Sequence, residues 1–194
     1  MKRRTFDTLM SAGGVVVTLV LVVAGTLAFV GYNFANSNVH QQLAEQKIFF
    51  PQKGSPALAS PEIGPFLNRY AGQQLVTGAQ AQAYADHFIA VHLSEVAGGQ
   101  TYAQVSSQAL ANPNDAKLQG QVATLFKGET LRGLLLQAYA FWKIGQIALI
   151  GSIVAFALAV VMGLLTILGF WHLRRVAPEE EILVPHVSMA RAAG

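Results

Sequence analysis

The chain has 194 residues, of which 53% are hydrophobic and only 12% charged. Water-soluble domains carry about 25% charged residues, so this composition argues against an ordinary cytosolic enzyme. Cysteine is absent, which excludes a disulfide framework, a thiolate metal site, a lipoprotein anchor and a cysteine nucleophile, and a scattered net charge of +3 gives no footing for nucleic acid. The charges are segregated: no Asp, Glu, Lys or Arg occurs between Asp7 and Glu45, or between Lys143 and Arg174. Each window contains a long apolar run, as a bilayer-crossing helix requires.

In chain order, residues 1–10 form a short basic leader with Lys2, Arg3 and Arg4. Residues 11–32 are rich in Val and Leu and are expected to be the first transmembrane helix, since about 20 residues at ~1.5 Å each cover a ~30 Å hydrocarbon core. A cleavable signal peptide is the rival reading, with Val23-Ala24-Gly25 resembling a cleavage site. The apolar run continues through Leu27, Phe29 and Val30 without a polar segment, which favours a retained span. Residues 144–171 form the second expected span. Trp142 and Trp171 bracket it at ~43 Å of helix, matching a bilayer with its interfaces, and Tyr139, Phe141, Phe170 and Trp171 supply aromatic belts. Lys2-Arg3-Arg4 and Arg174-Arg175 place both termini in the cytoplasm by the excess of positive charge on that side. Residues 33–143 are then extracytoplasmic, and 172–194 form a cytoplasmic tail with an acidic cluster at Glu179–Glu181.

The outer segment reads as all-α. Asn33 to Gln46 continues the first helix into water, with Phe34, Val39 and Leu43 as apolar contacts, and Phe49-Phe50-Pro51 ends it. Residues 51–65 form an irregular loop carrying Pro51, Pro56, Pro61 and Pro65. Its neighbouring Phe49, Phe50 and Phe66 are expected to pack inward. Thr77 caps a helix that ends at Gly98-Gly99, with Ala81, Tyr84, Ala85, Phe88, Ile89 and Val96 on one face. Thr101 and Gln104 fit a capping box for a helix running to Ala111, before Pro113. Leu118, Val122, Leu125 and Phe126 mark a further helix at core spacing, with a break expected at Lys127-Gly128. Leu131, Leu134, Leu135, Ala138 and Trp142 then lead into the second span.

Two clusters invite a functional reading. Asp86, His87, His92 and Glu95 contain ligand types suited to a metal, but on one straight helix His87 and His92 lie roughly 140° apart and cannot grip one ion. The expected arrangement is a solvated His87 and a half-buried His92 bonded to Glu95 or backbone, with no metal. The second cluster is Gly151, Ala155, Ala159 and Gly163, a small-residue row that admits close helix packing against the first span, where Gly14, Thr18, Gly25 and Ala28 offer small surfaces, or against another copy or another protein. No phosphate-binding glycine loop and no nucleophile or zinc-hydrolase motif occurs, so no catalytic or cofactor-binding residue is assigned.

Four stretches carry a resemblance: TFDTLMSAGG, FANSNVHQQLAEQKIFFPQKGSPALASPEIGPFL, AYADHFIAVHLSEVAGGQTYAQVS and GETLRGLLLQAYAFWKIGQ. In these the chain resembles a group of small actinobacterial two-span membrane proteins. The resemblance implies the same two-span topology and no mechanism. Some members are labelled aromatic ring-opening dioxygenases, an activity that needs iron held by converging histidines and a carboxylate. The expectation from the residues is a non-enzymatic membrane protein whose outer helical domain binds a partner or scaffolds a complex, with lipid and a protein partner or second copy as its contacts. The alternatives are a membrane-anchored metalloenzyme using His87 and His92, and a sensor module that signals through a separate protein.

Overall fold

A computed structural model describes residues 3–175; Lys2 and the acidic cluster at Glu179–Glu181 lie outside the described residues. Two long helices dominate, α1 (Arg3–Glu45) and α6 (Ala116–Leu173), and both are long and apolar enough to cross a membrane. Between them come a 3-10 turn at Pro56–Leu58, α2 (Gly64–Leu67), a second 3-10 turn at Asn68–Tyr70, α3 (Gly78–Ala83), a π turn at Tyr84–Ile89, α4 (Ala90–Ala97) and α5 (Tyr102–Ala111). The described residues contain no β-strand, only an isolated antiparallel bridge between Phe49 and Gln74.

The chain divides into two compact units. One comprises the described parts of Met1–Phe29 and Leu149–Gly194, the other Val30–Ala148. In the first unit, the N-terminal part of α1 packs on the C-terminal part of α6 through hydroxyl-bearing residues set against glycines. Ser11 faces Gly169, Thr166 presses on Gly14, Thr18 lies by Gly163, and the Ser152 hydroxyl donates to the Gly25 carbonyl at 2.8 Å. The numbers rise on one helix as they fall on the other, so the pair is antiparallel. Glycine lets the backbones approach and the hydroxyl-bearing side chain fills the space. Ser152 bonds across the pair and Thr18 within its own helix, donating to the Gly14 carbonyl at 2.8 Å, whereas Thr166 Oγ1 is buried with no hydrogen-bond partner among the described residues. The opposite faces are Val, Leu and Ile and are exposed.

In the second unit the core gathers Val39 and Leu43 of α1, Phe50, Leu58, Ile63, Leu67 and Leu75 of the connecting segment, one face of α3 through α5, and Leu125 and Leu135 of α6. The local signals act as their chemistry dictates. The side-chain oxygen of Thr77 accepts from the Gln80 amide, and Gln80 Oε1 accepts from the Thr77 amide at 3.0 Å, closing a capping box; Thr101 and Gln104 repeat the device for α5. Gly98, at φ +59°, ends α4 in the left-handed conformation, which glycine adopts without steric cost. Asp115 Oδ1 accepts from the amides of Lys117 and Leu118 and starts α6.

Four expectations need correction. Helix α6 does not break at Lys127-Gly128. A glycine costs a helix only about 1 kcal/mol relative to alanine, and Gly128 sits where Leu93 packs so closely that a Cβ would collide with it. It is a contact glycine inside a helix, not a helix stop. Helix α1 ends at Glu45, before Phe49-Phe50-Pro51, because Lys47 turns left-handed at φ +52° and Gln74 Nε2 donates to the Ala44 carbonyl at 2.8 Å. Of the three phenylalanines expected inside, only Phe50 is buried, against Tyr70 and Tyr84; Phe49 and Phe66 are exposed. Phe126, expected in the core, is exposed as well, with Tyr102 beside it.

Candidate functional site

The histidine cluster comes first because it carries the only ligand-type residues with suggestive spacing. The helix bearing it is not straight. Beyond Gly78, Gln80 and Ala83, buried near its start, its buried line runs through Ala81, Ala85, Ile89, Leu93 and Ala97, spaced by four, a register that drifts about 40° per step on a regular 3.6-residue helix. The π turn at Tyr84–Ile89 widens the helix there and absorbs part of the drift. Leu93 and Ala97 thereby take the inward positions, Val96 is left exposed, and His92 rotates outward. His92 Nδ1 lies 2.7 Å from the Phe88 carbonyl, one turn back, and its ring rests on Phe88.

His87, in contrast, is half-buried. Its imidazole stacks face to face on Phe66, with ring centres 3.5 Å apart and planes within 1°. The expected exposures of the two histidines are therefore exchanged, while the backbone bond expected of His92 is present. Asp86 pairs with Arg132 of α6 at 3.3 Å, and Arg132 reaches Glu129 at 3.5 Å. Among the described residues no three His, Asp or Glu side chains are placed to hold a metal ion together, so His87, His92 and Glu95 do not form one centre. Tyr84, between Phe50 and Phe88, has its phenol pushed above the usual range by burial.

The small-residue row lies largely within the α1–α6 pair. Ala159 is buried, Ala155 and Gly163 are half-buried, and Gly151 is exposed with open space around its Cα. The inward residue beside Gly151 is Ser152, fully buried. The face runs through Ser152, Ala155, Ala159, Gly163 and Thr166 at spacings of three, four, four and three, the mixed spacing that keeps one stripe of a helix facing its neighbour. A strict spacing of four misses Ser152 for that reason.

The feature the sequence did not disclose is a groove in the second unit, about 680 Å³ in volume, between residues 34–48 and 131–144. Val39, Leu43 and Leu135 form its buried floor, and Phe34, Leu131, Leu134, Phe141 and Ile144 stand exposed along it. Phe34 and Phe141 meet edge to face, with centroids 6.4 Å apart. Asn38, Gln42, Gln46 and Gln137 supply the polar atoms, and no ionisable side chain lines it. In the sequence Leu131, Leu134, Leu135 and Ala138 have the i, i+3, i+4, i+7 spacing of a single core-facing stripe, so they do not signal a groove on their own.

Comparison of the chain with family models, with curated proteins and with solved structures returns no match.

Proposed function

We propose that this chain is an integral membrane protein with two spans, α1 and α6, both termini cytoplasmic, and that its Val30–Ala148 unit is an extracytoplasmic binding module, not a catalyst. The groove carries the reading. An open trough of large apolar side chains, with a few carboxamides to orient what enters, is the usual form of a binding site. The membrane assignment is supported by the long helices, whose most apolar stretches are only 11% buried. A helix that apolar and that uncovered is stable in lipid and aggregation-prone in water. Arg3-Arg4 and Arg174-Arg175 support the orientation, as does the resemblance to two-span actinobacterial proteins. The module works by holding a partner or scaffolding a membrane complex.

A photoreactive residue placed at Leu134 and activated in native membranes tests this. A discrete adduct, lost when the photoreactive residue is moved to the exposed Leu110, is the expected result. Purified protein carrying stoichiometric iron or zinc would contradict it and favour a metalloenzyme.

A further inference from the structure

Resting on the binding-module reading above, we propose that the groove holds one acyl chain of a membrane lipid, with the uncharged linkage of that lipid against the carboxamides at its rim. Three properties of the groove point to this occupant. The first is its length. Residues 34–45 of α1 run along it for ~18 Å, close to the ~15 Å depth of one leaflet, half of the ~30 Å hydrocarbon core. A volume of about 680 Å³ over that length has room for a single extended chain.

The second property is charge. No Asp, Glu, Lys, Arg or His lines the groove, so an ionised group drawn into it would lose its hydration with nothing to replace it. Asn38, Gln42, Gln46 and Gln137 offer neutral donors and acceptors, which suit an ester or hydroxyl. The third property is continuity. Phe34 and Ile144, at one end of the groove, are each 62% exposed, and Ile147, one turn further along α6, is equally so. Ile144 is also the first residue of the second apolar run. An acyl chain can therefore slide from the bilayer along an unbroken apolar track without crossing water. At the other end the groove is bounded by Gln46 and Ile48, where α1 has stopped, so the chain terminates there.

The test uses the full-length protein in vesicles of phosphatidylcholine that carries a diazirine near the acyl terminus. After illumination, labelled positions are mapped by mass spectrometry. Labelling at residues 39–48 and 131–138, about two to four turns beyond the apolar runs, is expected at several-fold the level seen elsewhere outside the spans. Leu134→Glu, at a 60% exposed position, puts an ionised group in the groove and should lower that labelling at least fivefold. Leu110→Glu, 81% exposed on α5, should leave it unchanged. Unaltered labelling in Leu134→Glu, with helicity retained, overturns the proposal. So does labelling confined to the spans. In that case a protein adduct from the photoreactive residue at Leu134 keeps the binding module and replaces the lipid, whereas no adduct of either kind removes both.

Discussion

At the scale of single residues, the two histidines show how one local backbone irregularity reassigns side chains. On a regular helix His92 belongs to the apolar face and His87 to the polar edge. The π turn moves the inward face to Leu93 and Ala97, and Phe66 arrives from α2 to cover His87. Stacked aromatic pairs contribute about 0.5–1.5 kcal/mol beyond their buried area. His87→Ala should therefore destabilise the protein by about 1 kcal/mol, and His92→Ala by less than ~0.5 kcal/mol, read as midpoint shifts in chemical unfolding. Equal losses would mean the Phe66 stack contributes nothing. Tyr84 gives a pH signature. Burial raises its phenol, so the folded state holds that proton more tightly than the unfolded state does. Stability is then fully present below the ordinary tyrosine value near 10 and falls as pH rises through the raised folded value. Unfolding measured between about pH 9 and 11.5 should show this alkaline loss, and Tyr84→Phe should reduce it.

At the scale of elements, the signals that act through neighbours in sequence were readable and those that act through space were not. Thr77 with Gln80, Thr101 with Gln104, and Gly98 each settle a helix end by hydrogen bonds or backbone freedom within four residues, so the start of α3, the end of α4 and the start of α5 follow from the letters alone, while the π turn between α3 and α4 does not. Gly128 has the same letters as a helix stop. Only the arrival of Leu93 from another element shows that its missing Cβ serves packing. Gly128→Val should overpack that contact and cost about 1–3 kcal/mol. Gly133→Ala, with open space around it, should gain about 0.5–1 kcal/mol from helix propensity. Thermal unfolding of the two variants in mild detergent separates these roles; destabilisation of both would mean that α6 is strained at its glycines generally.

The same distinction holds for the α1–α6 pair of the first unit. The small residues of α6 and, on the first span, Gly14, Thr18 and Gly25 were visible in the sequence, but which residue meets which was not, because pairing Ser11 with Gly169 and Ser152 with Gly25 needs the antiparallel register. Ala159→Leu places bulk in that interface and should lower the melting temperature in detergent. Val161→Leu, on the exposed face, should be near neutral. Both keep the helix equally fit for insertion, so a difference between them reports packing alone.

At the scale of the whole molecule, the two apolar helices were legible because charge segregation survives any detail of folding: a bilayer-spanning helix must exclude Asp, Glu, Lys and Arg over its length. The groove was not legible, since it arises from two segments far apart in sequence that come to lie side by side. The account of function depends on where residues 33–143 reside. The most direct test exploits the absence of cysteine. Single cysteines at Ser107, exposed on α5, and at Ser188 in the C-terminal tail are treated with a membrane-impermeant thiol reagent. The account predicts that Ser107→Cys is labelled in intact cells and Ser188→Cys only after permeabilisation. Labelling of Ser188→Cys in intact cells, or protection of Ser107→Cys, would contradict it.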